Sequence, residues 1–178
     1  MKYNHLVFMT FRFYIILMLL AFLNSCSENS VTQVINQTDS LAWNKKIAVA
    51  VVHSHASMLA NMLKDINLEQ DRIDFVRKSI DSVRFYSNKT GYFYVYNYDC
   101  LNIAHATQKD LQGKDLYNYT DTKGKFVIRE LSSMAKSGGG FVEFYWIKPG
   151  DTGEKRKLGY VEPIKGTDWF IGTGVYME

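Results

Sequence analysis

The spacing of apolar residues changes from a helical period to a period of two at Asn88-Lys-Thr-Gly91, and that change separates a helical start from a mostly stranded remainder. Before it, from about 33 to 65, apolar side chains fall at Val34, Leu41, Ala48, Val52, Leu59 and Leu63, with Ala56 between. Those separations are multiples of three, four and seven, the stripe of one long amphipathic helix, and neither Pro nor Gly interrupts it. A second helix fits 70–86, where Ile73, Val76, Ile80 and Val83 repeat at helical spacing and Asp71 suits the first turn. After Gly91 the period is two. Tyr92-Phe-Tyr-Val-Tyr96 reads as a strand, Asn97-Tyr-Asp99 as a turn and 101–105 as the returning partner. A third helix is expected over 124–136, closed by Gly138-Gly-Gly140, and three more strands over 141–148, 155–164 and 168–176. Links of hairpin length make the five strands antiparallel. The class is α+β: the long helix covers one face of the sheet, and the polar segment 106–123 folds over the other, where a pocket forms.

Composition narrows the function. Of 178 residues 47% are apolar and 15% aromatic, with only 2 Pro, which excludes a disordered or low-complexity chain. The formal charge is +3, but Lys2 and Arg12 fall in the first 26 residues, where no acid occurs. The remainder is near neutral and offers no footprint for nucleic acid. Those two cations precede the apolar run from Phe13 to Leu23, which is too short to span a hydrocarbon core of about 30 Å comfortably. Leu23-Asn-Ser-Cys26 then resembles a bacterial lipobox, which implies cleavage before Cys26 and its acylation. The expected organisation is a lipoprotein signal peptide over 1–25, a tether over 26–32 and one domain over 33–178. That places the domain in the cell envelope, lipid-anchored and facing the periplasm or cell exterior. The alternative is an uncleaved anchor over 6–23. Two cysteines make no disulfide framework, and Cys100 reads as a small buried residue near a strand turn.

Several stretches of the body, in this order, resemble the single Cache domain (Cache_2-like) of bacterial extracytoplasmic sensors. They are Gly91-Tyr-Phe-Tyr-Val-Tyr96, Ile103-Ala-His105, Leu111-Gln-Gly-Lys-Asp115 and Asp121-Thr-Lys-Gly-Lys-Phe126. They continue with Gly139-Gly-Phe-Val-Glu-Phe-Tyr-Trp146, Lys157-Leu-Gly-Tyr-Val161 and Trp169-Phe-Ile-Gly-Thr-Gly-Val-Tyr176. The resemblance implies a PAS-like five-stranded sheet with a long N-terminal helix. It also implies a small metabolite bound outside the membrane, of the acetate, propionate, pyruvate and lactate class. Lys157 matches the family's Lys-Leu-x-Tyr segment and His105 its strand-ending His. Two departures lie at the expected pocket mouth: Ala106 where the family often has Pro, and Cys100 where its turn usually carries Gly.

A small carboxylate taken out of water must meet a cation or several donors. Residues 85–98 hold seven aromatics, five of them Tyr, and each Tyr supplies an apolar wall with one hydroxyl. Strand parity puts Tyr92, Tyr94 and Tyr96 on one face, and on the later strand Phe141, Glu143 and Tyr145 on one face against Val142, Phe144 and Trp146. With the apolar set assigned to the long helix, Tyr145 joins the tyrosine face. Arg84, His105 and Lys157 are the cations nearest these elements in sequence. The expected ligand contacts are therefore Arg84, Tyr92, Tyr94, His105, Tyr145 and Lys157. His53 and His55 stand about 200° apart on a helix and share no metal. No phosphate loop or nucleophile elbow is present, so neither cofactor nor catalysis is expected. The reading is a sensory domain acting in trans with a membrane receptor or transporter. Its alternatives are an interaction module forming a homodimer through the long helix, with Val52 and Leu59 shared between core and partner, and a periplasmic enzyme.

Overall fold

The computed structural model describes residues 39–177. The signal segment, Cys26, the tether and Val34 lie outside the described residues. The chain divides into a part up to Ala42, of which only the helical residues 39–42 are described, and a compact unit from Trp43 onward.

Helix α1 covers 39–63. Its stripe is the one read from sequence: Ala48, Val52, Ala56, Leu59 and Leu63 are buried, Val52 and Leu59 completely. Helix α2, Glu69–Ile80, carries Glu69 and Asp71 in its first turn and Arg77 and Lys78 in its last, each charge complementing the helix dipole. It stops short of the expected residue 86. Phe85 leaves the helical path to pair with Gly91, with N–H to carbonyl bonds of 3.2 and 3.0 Å in the two directions. A Cβ on Gly91 would sit 2.3 Å from the Phe85 ring, so only glycine admits this closure. The freed carbonyls of Asp81 and Val83 are taken by the Arg84 guanidinium at 2.9 and 2.8 Å.

Five strands follow: β1 Tyr94–Asn97, β2 Asn102–His105, β3 Gly140–Ile147, β4 Glu154–Pro163 and β5 Trp169–Tyr176. Helix α3, Val127–Lys136, links β2 to β3 after a single 3₁₀ turn at Lys109–Leu111. The β1–β2 turn is held by the Asn97 carboxamide, which accepts the N–H groups of Asp99 and Leu101 at 3.1 and 2.8 Å. Helix α3 begins three residues after the expected point, because Asp121 accepts the N–H groups of Lys123 and Lys125 and holds the chain in a turn there. At its other end Gly138 and Gly139 adopt φ of 106° and 109° and return N–H groups to Ala135 and Met134.

The sheet is antiparallel throughout, in the order β2-β1-β5-β4-β3. Its register carries side-chain parity from one edge to the other: Tyr94 stands opposite Gly172, Gly172 opposite Val161, and Val161 opposite Gly140. Phe144 stands opposite Lys157, on that same face. One face therefore holds Tyr94, Tyr96, Lys157, Phe144 and Trp146. The other meets α1, where His55 lies 4.2 Å from the Phe93 ring, Lys45 lies over Phe141 and His53 bonds Glu162. This corrects the expected orientation of β3. Val142, Phe144 and Trp146 face away from the long helix, and Phe141, Glu143 and Tyr145 face its side. Two-residue alternation was read correctly within each strand, but the phase between β1 and β3 is set by the strands between them.

Candidate functional site

On the sheet face away from α1, a small cavity of ≈ 10 Å³ is enclosed by Tyr94, Tyr96, His105, Phe144, Trp146 and Lys157, and closed from above by Val127, Ile128 and Leu131 of α3. That volume is about the space of one water. The cover is thus α3 rather than the 106–123 segment. The segment supports the wall from the side: Gln108 accepts the Trp146 indole N–H at 2.6 Å, and the Gln112 amide reaches the His105 carbonyl at 3.4 Å.

The floor is made of glycine. A Cβ on Gly172 would lie 2.6 Å from the Tyr94 ring, one on Gly174 2.6 Å from Cε of Lys157, and one on Gly159 2.6 Å from the Phe144 ring. Three missing side chains on β4 and β5 leave the trough in which Tyr94, Phe144 and the lysine stem lie. Lys157 crosses β5 along it, and its Nζ donates to the Tyr92 hydroxyl at 2.8 Å. The ammonium lies over the ring faces of Tyr92, Tyr176 and Tyr94 at 4.1, 4.7 and 5.6 Å. It is 1% exposed, and among the described residues no carboxylate pairs with it. Burial holds its pKa well below the usual lysine range.

His105, at the end of β2, is also buried. Its Nδ1 accepts the backbone N–H of Gln108 at 2.9 Å and that of Thr107 at 3.4 Å. Accepting at Nδ1 leaves the proton of the neutral ring on Nε2. Burial first, then the positive charges of Lys157, Lys109 and Arg84, push its pKa down to about 3. The ring is flanked by Tyr92, Tyr94 and Trp146, with centroids 5.2, 6.2 and 6.3 Å away. Burial likewise raises the Tyr92 hydroxyl to about 12, against the opposing hydrogen bond from Tyr176, and holds that of Tyr94 well above the usual phenol range. At neutral pH the site therefore contains neutral phenols, a neutral imidazole and one amine.

Of the six residues singled out from sequence, Tyr94, His105 and Lys157 line this cavity and Tyr92 bonds the lysine. Arg84 and Tyr145 are not brought to the cavity. Arg84 gives its guanidinium to the carbonyls of Asp81, Val83 and Ala106, the last at 2.9 Å, and clips the end of α2 to β2. Tyr145 lies on the opposite sheet face with Lys123 5.5 Å from its ring, while its backbone N–H donates to Asp121. Sequence reasoning missed Tyr96, Phe144, Trp146 and the three α3 residues. The clue was available in Gly159, Gly172 and Gly174, whose shared parity marks the face that large side chains must cross. Among the described residues no group of three or more His, Cys, Asp or Glu side chains is placed to hold a metal ion.

The Cache domain model dCache_2 matches residues 27–178. Two curated relatives align with about half of the chain. One is sensor histidine kinase MctS of Rhizobium johnstonii, 41% identical over 90 residues; the other is methyl-accepting chemotaxis protein McpP of Pseudomonas putida, 31% identical over 88. The alignments take in 51% and 49% of this chain but only 20% and 16% of the relatives' own lengths. Among solved structures, a methyl-accepting chemotaxis protein from Vibrio parahaemolyticus superposes with a TM-score of 0.67 at 30% identity, over 82% of this chain and 96% of that one. A Cache chemosensory domain, solved to explain its carboxylic acid recognition, superposes with a TM-score of 0.68 at 26% identity, over 80% and 99%.

Proposed function

This chain belongs to the Cache domain family of non-catalytic extracytoplasmic sensory modules, and from that premise we propose that it binds a short organic acid whose carboxylate is received by Lys157. The observation that carries the reading is the buried lysine amine with only phenols and π faces around it. Keeping a lysine in such a place is unfavourable unless something else uses it, and an anion supplies the missing partner. The Nε2–H of His105 is a second donor at the same cavity. The surrounding rings exclude water and suit a few apolar carbons. The likeness to a domain that recognises carboxylic acids supports the same ligand class. An acid of a few carbons needs more than ≈ 10 Å³, and in this reading the wall that yields is the α3 side, where Val127, Ile128 and Leu131 present only apolar side chains to the cavity.

Thermal-shift titration with acetate, propionate, pyruvate and lactate tests this. A ligand at a hundred times its Kd stabilises by about 2.7 kcal/mol. Lys157→Ala and His105→Ala are each expected to weaken binding tenfold or more, on the order of 1.5–3 kcal/mol for a charge-assisted hydrogen bond. Unchanged calorimetric affinity in both variants refutes the site. The proposed output is in trans, through a membrane receptor or transporter, with the domain anchored by acylated Cys26. Mass spectrometry of the mature amino terminus reads the anchor, and an intact unmodified Met1–Cys26 peptide refutes it. A ligand-dependent pull-down reads the partner.

A further inference from the structure

The groups facing the Lys157 amine carry no negative charge that would neutralise it, and two of them, the Tyr92 and Tyr176 hydroxyls, hydrogen-bond it at 2.8 and 3.5 Å. Just before β1 stands Tyr92, on β1 Tyr94 and Tyr96, on β5 Tyr176 and on β2 His105; β3 and α3 present only apolar side chains. The charges that act on neighbouring His105 besides Lys157, those of Lys109 and Arg84, are also positive. An amine so enclosed releases its proton more readily than one at the surface, and regains it when an anion arrives.

A hydrogen-bonded path joins this amine to the outside. Nζ of Lys157 bonds the Tyr92 hydroxyl at 2.8 Å, the Tyr92 and Tyr176 hydroxyls lie 3.2 Å apart, and Tyr176 donates to the Ile147 carbonyl at 2.6 Å. Tyr176 is only partly buried and borders a surface depression of ≈ 300 Å³ with Lys148, Asp151 and Lys155. Two phenols thus bridge the buried amine and the solvent edge.

Resting on the reading of this cavity as an anion site, we propose that the organic acid anion binds together with one proton, which passes from the surface depression through the hydroxyls of Tyr176 and Tyr92 to Lys157. The balance is simple. Free amine, carboxylate and solvent proton become an ammonium–carboxylate pair, and each phenol gives up one proton as it accepts another. Nothing is oxidised and no covalent bond to carbon changes. The site therefore takes up the equivalent of the uncharged acid, which keeps the net charge of the buried cavity constant.

The test is calorimetric titration of this chain with propionate at pH 7.5, in phosphate and in Tris, whose ionisation heats differ. The expected result is an apparent enthalpy that changes between buffers by the equivalent of about one proton taken up per anion bound. Affinity should also fall, by up to tenfold per unit, as the pH is raised to 9.5. His105, which titrates near pH 3, and the ligand carboxyl are silent in this range. Tyr176→Phe is expected to retain the uptake and to slow association in stopped flow. Binding with no buffer dependence overturns the proton coupling alone, and an unchanged association rate in Tyr176→Phe overturns the route. Absence of binding by propionate, acetate, pyruvate and lactate overturns the anion site on which both rest.

Discussion

Lys157→Met keeps an unbranched stem of similar length in the trough over Gly174 and deletes the amine, so it separates ligand capture from folding. The Tyr92 hydroxyl retains Tyr176 as partner, so no new orphan is made. A lysine kept for the fold would make this variant less stable. A lysine buried without a counter-charge makes it more stable at pH 7, by about 1–4 kcal/mol, the range found when buried charged groups give way to apolar ones. For a compact unit of this size that is about 3–4 °C in Tm per kcal/mol. The pH dependence is more diagnostic than the sign. The native lysine pKa is depressed, so above it the unfolded chain holds a proton that the native state does not. Wild-type stability therefore rises with pH up to the unfolded value near 10.4, with a limiting slope of about 1.36 kcal/mol per unit. Lys157→Met lacks this contribution, and every other group cancels in the difference. Urea unfolding of both proteins at pH 7, 8 and 9 should show the advantage of the variant shrinking as pH rises. A constant difference, or a variant less stable at pH 7, refutes the assignment of Lys157 as a buried amine without a charged partner.

Gly172→Ala places a methyl group 2.6 Å from the Tyr94 ring and should destabilise by about 1–3 kcal/mol in urea unfolding while flattening any acid-induced thermal shift. His105 is neutral in the native state, with its pKa pushed down to about 3. The unfolded ring binds a proton below pH 6.5, so stability should fall between pH 6.5 and 3, by at most about 1.36 kcal/mol per unit. His105→Gln should remove that contribution, and the wild-type ring should stay neutral by NMR at pH 5. Arg84→Ala breaks the bond to the Ala106 carbonyl and should lower stability by about 1–3 kcal/mol with ligand affinity kept within twofold in calorimetry.

Local spacing made most of the architecture legible. The α1 stripe, the five strands in order and the glycines closing α3 all follow from patterns confined to a dozen residues. Lys157, His105 and Tyr94 were also readable as candidates, because each falls on a strand that local spacing delimits. What escaped sequence reasoning depends on pairing between distant segments. The face presented by Trp146 is fixed through β4 and β5, so no inspection of 141–148 alone reveals it. Tyr145 and Phe144 exchange roles with a one-residue change of phase. Arg84 drew attention through its charge, whereas the frayed end of α2 supplies carbonyls that satisfy it locally. The early end of α2 itself turns on the contact between Phe85 and Gly91, a pairing that helix periodicity does not register.

The position of β5 has a consequence for how the domain is made. This strand, the last of the five in chain order, lies between β1 and β4, and it alone joins the β1–β2 hairpin to the β3–β4 hairpin. A nascent chain ending before Trp169 holds two separate ribbons with unsatisfied edges and half a trough. Commitment to the native topology thus waits for a late, long-range insertion, a slow kind of step that leaves earlier intermediates open to adhesion. Substitutions at Trp169 to Tyr176 should therefore act first on the yield of folded protein during biosynthesis.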